Sequence, residues 1–597
     1  MSARRGNPSP SLACCSLAPE IMLLAGIMAL LMLLDALAGV DTWLAHGHWM
    51  PPAPNALIGG WQLVTHAGDL ALAWPPAIRR VAPAGAAYWL TVAVAAALIL
   101  GVATWVLRLA RRRRGGAAKQ RGLASRSHLR HQLGGRAALA RARTLRPSVA
   151  RPSVTDVGIS LGRSVEHGSA LFGTVEDSYA LLGPPGMFKT STLVVPGVID
   201  YPGPAIVTST KPELLLLTAP LRPGPTWVFD PTGAVQRAVT ARRSWQPVLW
   251  DPVRGCEVPR TAMRRARVAV GSSGAGKGVT AGDYWRDSAV ALCQGYLHAA
   301  ALVGADLRTV TGWVDNPSDR RAVDVLLDHP GAAPGWGERL GAQLAGGPDD
   351  RERRSVFNSL RRAFDCVADP EVMASCCPGG GGTFDPVEFV ASKGTLYLVG
   401  DPEDQVQVSG LLAVLLDAVV AAARERAATL PGGRLDPPLG LWLDEVTQIA
   451  PLPSLPMLVS DGRGIGITVV AVFQTLARAR EVWGDDGAAT LWQNCTAKLV
   501  FGGISDHEEL ERLSRLCGEY DETVVSHHRD ADRRRSETRS TQRRRRLSPE
   551  EIRELPQRQA LLLYRQMRPV TTRLTPWFEG AVRSRIAAAR ASAGGGR

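Results

Sequence analysis

The feature that most constrains this chain is a glycine-bearing turn set between two strand-like apolar runs. Tyr179-Ala-Leu-Leu182 leads into Gly183-Pro184-Pro185-Gly186-Met187-Phe188-Lys189-Thr190-Ser191. Thr192–Val198 can then open a helix, and Pro204-Ala-Ile-Val-Thr208 reads as a buried strand. A G-x-x-x-x-G-K-[ST] loop in this frame wraps backbone N–H groups around phosphates. It puts a lysine on the β- and γ-phosphates and a hydroxyl on Mg²⁺. Gly183, Lys189 and Thr190 fit that pattern. Phe188 stands where the last glycine belongs, and Gly186 supplies part of the missing backbone freedom. The strand–loop–helix–strand unit demands an α/β fold with a parallel sheet.

A second segment competes for the role. Gly271-Ser-Ser-Gly-Ala-Gly276-Lys277-Gly278 has the glycines and the lysine, but it places Gly278 where the hydroxyl is required. Val268–Val270 is expected as a short strand before it, with a long helical stretch and no strand after it. The segment therefore reads as a Gly-rich hinge.

Downstream, Leu439-Gly-Leu-Trp-Leu443 is a continuous apolar run, the mark of a buried parallel strand, and it ends in Asp444-Glu445. Asp444 is placed to hold the Mg²⁺ shell, and Glu445 to activate an attacking water. A further run, Gly466–Phe473, ends in Gln474, a group suited to sensing a γ-phosphate. Before it, Asp461-Gly-Arg463-Gly carries an arginine on what reads as a flexible turn; an arginine can stabilise transition-state charge. Ala497–Gly502 would extend the sheet.

Charge and hydropathy divide the chain. The net charge is +14, and the stretch from Arg108 to Arg151 holds 13 Arg, one Lys and no acidic residue, so this one segment accounts for the excess. Ile21–Val40, interrupted by Asp35, and Ala86–Leu107 each have about the ~20 apolar residues of a membrane-spanning helix. Arg111–Arg114 after the second run, with Arg4 and Arg5, put both flanks on the cytoplasmic side. The basic collar reads either as a solvated linker or as a contact for anionic lipid or DNA. From nine cysteines without a C-x-x-C spacing, no zinc or disulfide framework can be read.

Together these residues resemble the type IV secretion coupling proteins, the TraG/TraD-like conjugative ATPases. The likeness rests on the loop at 183–191, Ile206-Val-Thr-Ser-Thr-Lys-Pro-Glu213, Trp227-Val-Phe-Asp-Pro-Thr232, Tyr284-Trp-Arg-Asp287, Leu443-Asp-Glu445, Phe473-Gln474 and Leu547–Pro556 with Ala560–Arg568. It implies a RecA-like P-loop domain with an inserted all-α domain, preceded by a two-helix transmembrane hairpin. The expected bounds are an anchor at 1–110 with spans near 21–40 and 86–107, a basic linker at 111–155, the RecA-like domain at 156–279 and 383–597, and the insertion at 280–382.

The resemblance further implies ATP and Mg²⁺ as ligands. Gly183, Pro184, Pro185, Gly186, Lys189, Thr190 and Ser191 would bind nucleotide; Thr190 and Asp444 would face the metal; Glu445, Gln474 and Arg463 would be catalytic. It implies a homo-hexamer at the plasma membrane, a relaxase–DNA substrate and type IV secretion channel components as partners. Composition rich in Ala, Arg and Gly fits an actinobacterial source. An FtsK-like DNA translocase and a non-hydrolysing docking receptor remain open as alternatives. Residues 529–546, rich in Arg, read as a basic loop, either solvated or in contact with DNA.

Overall fold

The computed structural model describes residues 19–76, 79, 85–120, 122–238, 245–274, 282–345, 351–379, 384–400, 405–529 and 535–594. The chain forms two compact units, Met1–Arg113 and Arg114–Arg597.

In the first unit, helices Pro19–His46 and Gly85–Gln120 contain segments Gly26–Ala45 and Gly85–Val106, both long and apolar enough to cross a membrane. The helix between them, Ala56–Thr65, has 10 residues and is too short to span. A small core of Ala38, Leu63, Leu70, Ala73, Trp74 and Tyr88 joins these elements. Asp35, which interrupts the first apolar run, is buried against Gly59, where a side chain would collide with its carboxyl group.

The second unit carries the strands β1 (Gly158–Ser164), β2 (Ala170–Thr174), β3 (Tyr179–Leu182), β4 (Ala205–Ser209), β5 (Thr226–Phe229), β6 (Gln246–Pro247), β7 (Thr395–Val399), β8 (Leu439–Leu443), β9 (Ile467–Phe473), β10 (Ala497–Phe501), β11 (Glu519–Arg529), β12 (Arg535–Arg545), β13 (Gln559–Tyr564) and β14 (Val570–Arg573). Twelve of them form one sheet in the order β2-β1-β14-β13-β10-β3-β9-β8-β4-β7-β5-β6. From β10 to β6 every pairing is parallel; β13, β14, β1 and β2 extend the sheet antiparallel. The central strands β3, β4, β7, β8 and β9 are buried along their whole length, as a parallel sheet covered on both faces requires. One face packs on the hydrophobic cluster holding Ile206, Leu441 and Val469, the other on the cluster holding Val207, Trp442 and Val470.

Helices from Pro259–Ser272 to Pro386–Ala391 fill the interval between β6 and β7. They share the first core with the sheet rather than enclosing a separate one. Three expectations change here. Val268–Val270 is not a strand: it lies inside helix Pro259–Ser272, with Val268 and Val270 buried. A helix, Pro259–Ser272, thus already precedes the expected boundary at 280. Gly271 and Ser272 close that helix, while Gly276, Lys277 and Gly278 of the expected hinge lie outside the described residues.

The basic linker at 111–155 is also revised. Helices Arg126–Gln132, Gly135–Ala140 and Ala142–Leu145 bury Leu129, Leu133, Ala138, Ala142 and Leu145 in the second core. Leu133 O accepts from Phe172 N at 2.7 Å, and Arg146 pairs with Asp436 at 2.7 Å. Helical spacing of the small apolar residues drives this, and the arginines occupy the remaining positions. Finally, the expected loop at 529–546 falls on a two-stranded hairpin, β11 with β12. Arg543, Arg544 and Arg545 are paired with Glu519, Glu522 and Glu511 at 2.7, 2.8 and 2.6 Å, so these charges are met within the chain.

Candidate active site

The carboxyl ends of four adjacent strands, β3, β9, β8 and β4, converge on one cleft of about 390 Å³. Ligands of open α/β sheets bind at this end because loops there are free of the strand ladder and helix N-termini point inward. The loop after β3 turns at Gly183, where an added Cβ would lie 2.8 Å from Phe501 Cβ, and at Gly186, with φ +81°. Phe188 adopts φ +60°, the left-handed conformation that its place in the motif demands of a glycine. Its ring packs edge-on to Phe578 with centroids 6.1 Å apart, and the Arg558 guanidinium lies 5.4 Å from its centroid. These contacts hold a conformation that costs about 1–3 kcal/mol for a residue with a Cβ.

Lys189 is buried and donates to the carbonyls of Gly183 at 2.5 Å and Pro184 at 2.9 Å. Burial lowers its pKa, against the raising influence of Asp444 and Glu445. Its ammonium therefore lies folded onto the loop that would cradle phosphate. Thr190 Oγ1 donates to Asp444 Oδ2 at 2.9 Å, joining the loop to the end of β8. Thr208 Oγ1 fixes the Asp444 carbonyl at 2.9 Å. Burial, with the nearby Glu445 charge, pushes the Asp444 carboxyl up to about 6, although Thr190 and Lys189 act to lower it. A buried carboxylate beside a hydroxyl, with no guanidinium partner, is a donor set suited to a hard cation such as Mg²⁺.

Glu445 takes a left-handed φ of +53° at the start of helix Val446–Ile449. Gln474, at the end of β9, donates to Glu445 Oε1 at 3.2 Å. A carboxylate braced by an amide, on the cleft side of a phosphate loop, can accept a proton from a bound water.

Pro185, Gly186, Lys189, Thr190, Ser191, Asp444, Glu445 and Gln474 all line the cleft, while Gly183 and Pro184 contribute carbonyls beneath Lys189. Arg463 does not join them. The expected flexible turn is the last turn of helix Leu455–Ile465, and Arg463 lies near Glu176 at 3.6 Å. That is the amino end of β9, and seven residues at about 3.3 Å each put it roughly 20 Å from the cleft. The structure adds residues that sequence reasoning did not assign. Ser209, Thr210, Lys211 and Glu213 line the cleft from the loop after β4, and Trp577 closes it from far along the chain. Trp577 N donates to Ser191 O at 2.8 Å. The loop after β4 had a signal, a Lys-Pro turn ending a buried strand; Trp577 had none, since its approach is purely tertiary.

Residues 438–557 match the family described as the TraM recognition site of TraD and TraG. The probable conjugal transfer protein TraG of Sinorhizobium fredii is 26% identical over 138 residues, 23% of this chain and 21% of that protein. The conjugal transfer protein TraG of Rhizobium radiobacter is 25% identical over 139 residues, again 23% and 21%. The chain thus matches about a fifth of the length of these curated relatives. A solved structure of the bacterial conjugative coupling protein TrwBdeltaN70, in its unbound form, superposes with a TM-score of 0.50 at 19% identity, covering 67% of this chain and 85% of the other. That likeness establishes the RecA-like fold with its helical domain.

Proposed function

We propose, taking the chain's place among the conjugative coupling proteins as premise, that it is a membrane-anchored ATPase that recruits relaxase-bound DNA and drives its transfer through a type IV secretion channel. The observation that carries this reading is the joining of Thr190 to Asp444 and of Gln474 to Glu445 across the carboxyl ends of adjacent strands. Lys189 exchanges the Gly183 and Pro184 carbonyls for the β- and γ-phosphates of ATP. Thr190 and Asp444 would hold Mg²⁺, which would supply positive charge to neutralise the phosphate oxygens. Glu445 orients the attacking water and takes its proton, and Gln474 keeps that carboxylate aimed at the cleft. The two apolar helices hold the chain in the membrane as a hairpin, with the site on the cytoplasmic side.

Arg463, at the opposite, amino ends of the strands, acts on the nucleotide of a neighbouring subunit in a homo-hexamer. The test mixes Arg463→Ala with Glu445→Gln chains, each inactive alone. Mixed assemblies should regain part of the ATPase rate, because some interfaces pair an intact Arg463 with an intact Glu445. No recovery after demonstrated co-assembly would rule out the trans arrangement. Absence of ATP turnover by the unmodified chain would favour a docking receptor instead.

A further inference from the structure

The amino ends of β3, β8 and β9 carry a second cluster of charge. Glu176 precedes β3, Arg434 precedes β8 and Arg463 precedes β9. Glu176 is paired with Arg141, with Arg434 at 3.6 Å and with Arg463 at 3.6 Å. Arg434 also donates to the Arg463 carbonyl at 2.8 Å, which ties the two arginines together. Three guanidiniums thus face one carboxylate. Asp436 also acts on Arg434 and Asp177 on Arg141, but each is already paired one to one, with Arg146 and Arg565, so the cluster keeps its excess of positive charge.

The arginines are unequal. Arg434 is 13% exposed, and its Nε and Nη2 are buried without a hydrogen-bond partner among the described residues. Arg463 is 41% exposed and opens the cluster to solvent. Buried guanidinium N–H groups without acceptors are costly, and a planar fork of this kind matches a tetrahedral oxyanion. The site is compact and half-buried. It suits one phosphate-sized group rather than the repeating charges of a nucleic-acid backbone, which call for an exposed stripe.

We propose that Arg141, Arg434 and Arg463 form a receptor for the terminal phosphate of a nucleotide held by a second copy of this chain, and that the Glu176 carboxylate occupies this receptor in the isolated chain. The proposal rests on the trans role given above to Arg463, and adds two arginines and an internal competitor. The chain's own cleft lies at the far ends of the same strands, so only another copy can bring the phosphate. When it arrives, it displaces Glu176 from the arginines; no bond is made or broken.

ATP-driven self-association of the full chain in detergent measures this, with Glu445→Gln as background so that ATP is retained. Sedimentation velocity with ATP, with ADP and with inorganic phosphate gives the half-assembly concentration. Glu176→Gln should lower it about tenfold with ATP, the effect of removing one charge-assisted competitor, and leave the ADP value unchanged. Arg434→Gln should cancel the gain and Arg434→Lys restore part of it. Should Glu176→Gln fold poorly, Glu176→Asp, which keeps the charge on a shorter stem, should show a smaller shift of the same sign. An equal shift with ATP and ADP, or none, overturns the proposal. A shift produced by inorganic phosphate alone identifies a free anion as the ligand and also overturns it. If the subunit mixing above restores ATPase while Glu176 and Arg434 substitutions leave assembly unchanged, the trans role stands and this receptor falls. If the subunit mixing gives no recovery and Arg463→Ala leaves ATP-driven assembly unchanged, both fall.

Discussion

Two buried aspartates stand near opposite ends of the same parallel strands, and their surroundings differ. Asp177, fully buried ahead of β3, accepts from Thr174 N at 2.8 Å, Thr174 Oγ1 at 2.9 Å, Tyr564 OH at 2.9 Å and Arg565 at 2.6 Å. Burial acts to raise its pKa, but the Arg565 charge and these hydrogen bonds outweigh burial and hold the carboxyl below its ordinary value. Asp444, beyond β8, has Thr190 as its side-chain hydrogen-bond donor and no guanidinium partner among the described residues, and burial pushes it up to about 6. A buried carboxylate with a full set of donors is architecture. One left short of positive charge is prepared for a cation that arrives later.

Breaking Asp177 should have the largest effect. Asp177→Ala leaves Arg565 without its partner and should cost about 3–5 kcal/mol in urea unfolding of the full chain. Nucleotide affinity of the folded protein should stay within about twofold, as distant sites are nearly independent. A large affinity loss with little change in stability would invert the comparison.

Lys189→Ala acts at the other end. It should weaken ATP binding about a hundredfold, on two charge-assisted hydrogen bonds of about 1.5 kcal/mol each, as read by titration with labelled ATP. Lys277→Ala is the control and should leave binding nearly intact. The opposite result would transfer the phosphate-binding role to the 271–278 segment.

Proton linkage sharpens the contrast further, because its sign differs between the two aspartates. The folded-state pKa of Asp444 lies above the unfolded value, so its stabilising contribution is full below about pH 3.9 and is lost as pH rises through about 6. Metal-free protein should therefore lose about 1–3 kcal/mol relative to Asp444→Asn between pH 4 and 7. Asp177 is depressed, so its contribution is present above about pH 3.9 and is lost as pH falls through the lower folded-state value. Thermal unfolding of the two Asn variants across pH should diverge from the parent in opposite directions; parallel curves would refute the assignment.

Phe188 gives the smallest effect. Phe188→Gly removes the left-handed strain of about 1–3 kcal/mol but also the ring contacts with Phe578 and Arg558, each worth about 0.5–1.5 kcal/mol. ATP affinity should move by less than about fivefold. Phe188→Ala keeps the strain and loses the ring, and should bind more weakly than Phe188→Gly. Equal affinities would mean that φ at this position does not matter.

Much of the site was legible because it is local. The strand runs that end in Lys189-Thr190, Asp444-Glu445 and Gln474 are continuous apolar segments, and parallel packing forces their polar ends together. The same logic misjudged Asp461-Gly-Arg463-Gly, whose glycines read as a turn. Leu458, Val459 and Gly462 bury one face of a helix there, and packing overrides the low helix propensity of glycine. The stretch at 111–155 was misread because its arginines dominate its composition, while Leu129, Leu133 and Leu145 decide its packing. The hairpin β11–β12 was missed for a related reason: its side chains give no apolar alternation, and its register is set by cross-strand pairing such as Glu519 with Arg545.

The hydrogen bond from Trp577 N to Ser191 O has a consequence for the order in which the molecule is made. A ribosome delivers the phosphate loop early and the segment that braces it nearly four hundred residues later. A nascent chain that has reached β10 already holds every side chain lining the cleft except that of Trp577. It still lacks Arg558 and Phe578, which steady Phe188 in its unusual conformation. Contacts so far apart in sequence form last. The cleft therefore matures only when translation has passed its rear wall, and until then the growing polypeptide carries the parts of a nucleotide site without its brace.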